Sequence, residues 1–153
     1  MSRTDEEIAA DIARDLGHRT LATAESCTAG RVAETFATVP KATEFLRGGL
    51  VAYQESVKRS LLGVEAESML SCEAAVQMAA GAARLFGADV TVATTGLAGS
   101  EPDDGVPGGT VFIATWIEGR ADVREHQFDG SPEQVCDAAL HQALLDLGKR
   151  ISP

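Results

Sequence analysis

Apolar positions along the chain follow two alternating rhythms, and each change of rhythm marks an element. Ile8, Ile12 and Leu16 recur at intervals of four behind Thr4 and the acidic residues Asp5, Glu6 and Glu7. This spacing predicts a capped amphipathic helix over 5–16, closed by Gly17. Leu21 to Ala24 reads as a short buried strand that stops at Glu25 and Ser26. Helical spacing returns with Val32, Ala33 and Phe36, so a helix is expected from Thr28 to Ala37, ended by Val39-Pro40. A short turn follows over 42–46.

Two glycines, Gly48 and Gly49, precede an apolar strand from Leu50 to Tyr53, and 56–62 again has a helical pattern. The alanine-rich segment 71–86 predicts a long scaffold helix, and ADVTVAT, 88–94, predicts a strand rich in β-branched residues. Segment 100–109, with two prolines and three glycines, reads as a long surface excursion. Strands over 110–117 and 123–128 form a hairpin across Glu118-Gly119-Arg120, and 132–150 forms the last amphipathic helix. Alternating strands and helices predict an α/β layered fold with helices covering the sheet. Only the hairpin calls for antiparallel pairing, so the sheet is expected to be mixed and mostly parallel.

At 153 residues with 44% hydrophobic content, the chain fits one domain over 1–153 with an ordinary core. A net charge of -10 opposes extended nucleic-acid contact. Cys27, Cys72 and Cys136 are widely spaced and form no CxxC pair, which argues against a zinc site, and Cys27 reads as a small core residue. The acidic, amphipathic start is unlike a secretory leader, and no apolar run approaches the roughly 18 residues of a membrane span. A cytoplasmic protein without membrane contact is therefore expected.

Candidate chemistry gathers at strand ends. Ser26 follows a strand and precedes a helix, where unpaired N–H groups and the helix dipole stabilise an alkoxide or a phosphate. Two readings of Ser26 and Thr28 stand side by side, a helix cap and a reactive site. Lys58 lies near a helix start, where the dipole disfavours an ammonium, and a neutral amine can accept a hydroxyl proton. Its alternative is a solvated surface lysine beside Arg59. In an α/β sheet, strand-end glycines and hydroxyls converge on one crevice.

The ordered motifs AESCTAG, FLRGGLVAYQESVKRSLLGV, TTGLAGSEPDDGVPGGTV and FDGSPEQV resemble the CinA carboxy-terminal domain family over about residues 5 to 150. The stand-alone members of that family include nicotinamide mononucleotide deamidases. The resemblance implies a three-layer α/β/α domain that self-associates as a homo-oligomer, takes a small nucleotide substrate and needs no metal or cofactor. The implied reaction converts nicotinamide mononucleotide to nicotinic acid mononucleotide and ammonia. By matching motif positions it implies Ser26 as nucleophile and Lys58 as base. Tyr53 and Thr95 join them as catalytic candidates, Thr95 by substrate contact or by orienting the pair. Thr28, Gly30, Arg47, Gly48, Gly49, Gly96, Gly99, Gly109 and Thr110 are the implied substrate-binding positions.

The chain departs from the family pattern at several places. Ala29 stands at a usual glycine, which is expected to restrict the backbone there to negative φ. Glu55 replaces an asparagine and places a carboxylate three residues from Lys58, opposing a neutral amine. Ser68 and Ser100 replace a glycine and a proline. After Phe128 the family carries arginines where this chain has Ser131, Pro132 and Cys136. Arg47 or Arg31 is the cation left to meet a phosphate. A second reading follows from these departures: a catalytically altered member that binds or scaffolds in a competence or DNA-damage setting.

Overall fold

The computed structural model describes residues 3–152; Met1, Ser2 and Pro153 of the expected 1–153 span lie outside the described residues. Helix α1 (Asp5–Leu16) begins at the expected cap, the Thr4 hydroxyl accepting the Glu7 N–H at 3.1 Å. The other elements in chain order are β1 (Leu21–Glu25), α2 (Arg31–Ala37), a 3-10 turn (Ala42–Glu44), β2 (Leu46–Val51), α3 (Glu55–Leu62) and α4 (Cys72–Phe86). They continue with β3 (Val90–Gly96), β4 (Thr110–Ile117), β5 (Arg120–Gln127) and α5 (Pro132–Ile151).

The five strands form one mixed sheet in the order β2-β1-β3-β4-β5. β1 pairs parallel with β2 and β3, and the last two pairings are antiparallel, so β4 alone runs against the others. Helices cover both faces, giving the α/β/α layering. Val92 and Ile113 pack with Ile12, Phe36 and Leu144 on the face carrying α1, α2 and α5. Their strand neighbours Ala93 and Phe112 pack with Leu62, Met78 and Ala82 on the face carrying α3 and α4. Successive strand residues point to opposite faces, and with both faces covered the central strands have near-continuous apolar sequences. β5 is an edge strand with mostly exposed positions, and this weak patterning is why the sequence placed its start three residues late.

Besides the start of β5, two element starts change the picture drawn from the sequence. Helix α2 starts at Arg31, because Ala29 and Gly30 take φ of 50° and 93°, which no helical turn contains. The expectation that Ala29 holds the backbone at negative φ is therefore overturned. Strand β2 begins at Leu46 and includes Gly48 and Gly49, so these glycines lie within the ladder. Between Leu21 and Ala22 the register with β2 slips from Leu46 to Gly48, leaving Arg47 as the extra residue of a bulge.

Candidate active site

Chain direction in the sheet brings several of the candidate residues to one edge. From β1 the chain crosses through α2 to β2 on one side, whereas β3 leads to β4 on the other. The carboxyl ends of adjacent β1 and β3 therefore meet at the switch of direction, the position at which α/β sheets bind ligands. Glu25 pairs with Thr94 at the end of the β1–β3 ladder, so Ser26 leaves the sheet beside Thr95, which stays paired with Phe112 of β4. The Ser26 N–H donates to the Thr94 carbonyl at 3.0 Å.

A buried carboxylate organises the turn after Ser26. Glu25 accepts the Thr23 hydroxyl at 2.9 Å and the Thr28 hydroxyl at 2.7 Å. It also accepts the Val32 and Ala33 N–H groups at 2.9 and 3.0 Å. Four donors converge on its two oxygens, which is the acceptor capacity of a carboxylate. With the Thr28 proton on Glu25, Thr94 donates to the Thr28 hydroxyl oxygen at 2.8 Å. Glu25 thus caps α2 from the strand before it. The helix N–H groups expected to face a substrate are already occupied, and this corrects the expected oxyanion site. Among the described residues, the Thr28 and Gly30 N–H groups of the turn donate to nothing else.

Lys58, on the second turn of α3, is buried. Its amine donates to the Thr95 hydroxyl at 3.3 Å, and Thr95 donates onward to the Met69 carbonyl at 2.9 Å. Burial lowers the Lys58 pKa from 10.5, while Cys27 and then Glu55 push it upward. The effect expected of Glu55 is real, but burial outweighs it. Glu55 is exposed and its charge is shared with Arg59 at 2.9 Å. Cys27 is buried in the hydrophobic core, as expected, and also lies close enough to Lys58 for the two to influence each other. Burial, the main cause, pushes its thiol up to about 12. Both groups are thereby held toward their neutral forms.

The other sequence candidates divide. Gly30 caps α2 at the same edge, and a Cβ there would stand 3.3 Å from Val51. Gly96 closes β3 against the Thr110 carbonyl, and Gly109 binds Leu97 by its N–H at 2.7 Å. Gly99 is exposed on the rim of the loop between them. Thr110 is buried and donates to Gln127 at 2.7 Å. Thr28 is buried within the Glu25 network, so its hydroxyl is structural and not open to a substrate. Tyr53 is 61% exposed and among the described residues hydrogen-bonds neither Ser26 nor Lys58.

Arg47, Gly48 and Gly49 do not line the crevice. Arg47 lies at the opposite end of β2 and binds the Phe86 carbonyl. A Cβ at Gly48 would strike the Phe86 ring, and one at Gly49 would strike Thr23 and Ala33, so both are packing glycines. Sequence reasoning missed Glu25 and Thr94. Their signal was an acid closing an otherwise apolar strand, and a hydroxyl directly before Thr95. A hollow of about 640 Å³ lies elsewhere, between α1 and α5, and none of these candidates lines it.

The model of the CinA C-terminal domain matches residues 4–151. The chain belongs to the CinA C-terminal domain family. A CinA-like protein of Geotalea uraniireducens is 34% identical over 156 residues, 97% of this chain and 36% of that protein. One from Desulfotalea psychrophila is 38% identical over 82% of this chain and 32% of its own length. The chain thus spans about a third of these longer relatives. The crystal structure of a competence or damage-inducible protein from Enterobacter asburiae superposes with a TM-score of 0.95 at 32% identity, covering 99% of this chain and 100% of that one.

Proposed function

We propose that this CinA-family chain is an amidohydrolase that converts nicotinamide mononucleotide to nicotinic acid mononucleotide and ammonia with Ser26 and Lys58. The observation that carries this reading is a buried lysine of lowered pKa at the strand edge that bears Ser26. A neutral amine accepts the Ser26 proton as the hydroxyl oxygen attacks the carboxamide carbon. The resulting ammonium then protonates the departing nitrogen, and ammonia leaves an acyl-serine that water hydrolyses. The unoccupied Thr28 and Gly30 N–H groups are the donors proposed for the oxyanion. Arg31, paired with Asp137 at 3.2 Å, is the guanidinium proposed to meet the phosphate.

A second reading, a binding or scaffolding member in a competence or damage setting, draws on one observation. Among the described residues no hydrogen bond joins the Ser26 hydroxyl to Lys58, whose amine is directed to Thr95. Ammonia release from nicotinamide mononucleotide, measured beside Ser26→Ala, separates the two. Release lost in the variant with unchanged melting supports the hydrolase. No release from folded wild-type protein selects the second reading.

A further inference from the structure

Cys136, on the second turn of α5, directs its thiol at the Cys27 carbonyl oxygen at 2.9 Å, although the residues are 109 positions apart. A carbonyl oxygen lies about 2.4 Å from its own Cα, so the Cys136 sulfur stands within roughly 5.3 Å of the Cys27 Cα. A disulfide needs Cα atoms about 4.4–6.8 Å apart; the Cys136 sulfur, about 2.8 Å from its own Cα, already touches the Cys27 backbone, which puts that window within reach. Cys27 is buried directly after Ser26, whereas Cys136 is part-exposed. The third cysteine, Cys72, heads α4 on the opposite face of the sheet.

We propose that Cys27 and Cys136 form a reversible redox pair: a hydroperoxide oxidises them to a disulfide that ties the Ser26 turn to α5 and switches the site off. Cys136, the accessible member, attacks the peroxide as thiolate, breaking the O–O bond and giving a sulfenic acid and hydroxide. The Cys27 sulfur then displaces the sulfenic hydroxyl, which leaves with the Cys27 proton as water. Two thiols and one hydrogen peroxide thus give one disulfide and two waters, with two electrons passing from sulfur to oxygen. Joining the sulfurs draws Cys27 away from Lys58 and Thr94 and shifts the Ser26 turn. The bond itself is independent of the hydrolase reading; only its effect on catalysis rests on that reading.

The test treats the purified chain with hydrogen peroxide and reads a non-reduced digest by mass spectrometry, with ammonia release from nicotinamide mononucleotide measured on the same sample. The expected result is a Cys27 peptide linked to a Cys136 peptide and reversed by dithiothreitol. Ammonia release should fall roughly a hundredfold and recover with the reductant, since a shift of about 1 Å costs that much. Cys136→Ser keeps a donor for the Cys27 carbonyl, forms no link and should retain activity under peroxide. Free Cys27 beside a sulfinic acid at Cys136, or linkage through Cys72, overturns the pair. A link that leaves ammonia release unchanged overturns the switch. Protein that releases no ammonia before oxidation defeats the hydrolase reading, while the mass measurement still decides the disulfide.

Discussion

The Lys58 amine stands 3.3 Å from the Thr95 hydroxyl oxygen, and that hydroxyl gives its own proton to the Met69 carbonyl. Thr95 is thus both the anchor of the buried lysine and the tie between β3 and the loop before α4. Thr95→Val keeps the shape and removes both hydrogen bonds. Denaturant unfolding should show a loss of about 1–3 kcal/mol, the cost of leaving buried polar groups unpaired. Ammonia release should fall by on the order of a hundredfold as Lys58 loses its position. Thr95→Ser should restore most of both.

Lys58 has a lowered pKa, so the native state sheds its proton at lower pH than the unfolded chain. Its contribution to stability is fully present above 10.5 and is lost as pH falls through the native value. Cys27 behaves in the opposite sense: raised from 9.0 to about 12, it adds stability that is complete below 9.0 and lost as pH rises through 12. Between the native Lys58 value and 10.5, Lys58 therefore contributes a rise of stability with pH, which Cys27 opposes above 9.0. Lys58→Met should abolish this rise together with ammonia release, without lowering the melting temperature at neutral pH. In the wild type, kcat/KM should climb along an acid limb with its midpoint below 10.5. A limb that persists in the variant, measured through any residual activity, would remove Lys58 as the base.

The layered fold was legible because both kinds of periodicity are strong: Ile8, Ile12 and Leu16 mark one helix, and the apolar runs of β1 and β3 mark strands covered on both faces. Ser26, Lys58 and Thr95 were legible as polar residues at strand and helix ends. Arg47 was misplaced because a bulge is a property of two strands, and the sequence of one strand does not display its partner's register. Glu25 was overlooked because its four donors come from Thr23, Thr28, Val32 and Ala33, and only the turn between strand and helix brings them together. That turn depends on positive φ at Ala29, a conformation its side chain does not announce.

Ala29 at φ of 50° holds a left-handed conformation that disfavours a Cβ by roughly 1–2 kcal/mol. Ala29→Gly relieves that strain but adds freedom to the unfolded chain. The net gain should be about 1 kcal/mol, raising the melting temperature by roughly 2–4 °C for a chain of this size. The side chain is exposed and Glu25 fixes the turn on either side, so ammonia release should be unchanged or higher. A clear loss of activity would show that the methyl group itself shapes the pocket.

Arg31 opens α2 directly after the Ser26 turn, and Asp137 on α5 holds its guanidinium at 3.2 Å. Both side chains are substantially exposed, 36% and 66%, so their attraction is worth no more than about 1 kcal/mol. If Arg31 meets the substrate phosphate, Asp137 competes with that phosphate for the same guanidinium. Asp137→Asn should then lower KM for nicotinamide mononucleotide by up to about fivefold, the equivalent of 1 kcal/mol, with kcat little changed. Arg31→Ala should raise KM instead. Added salt should shrink both effects, because exposed charges are screened over about 10 Å at 0.1 M. Nicotinamide riboside, which carries the same amide without the phosphate, should respond to neither substitution. Equal responses from both substrates would place Arg31 away from the phosphate.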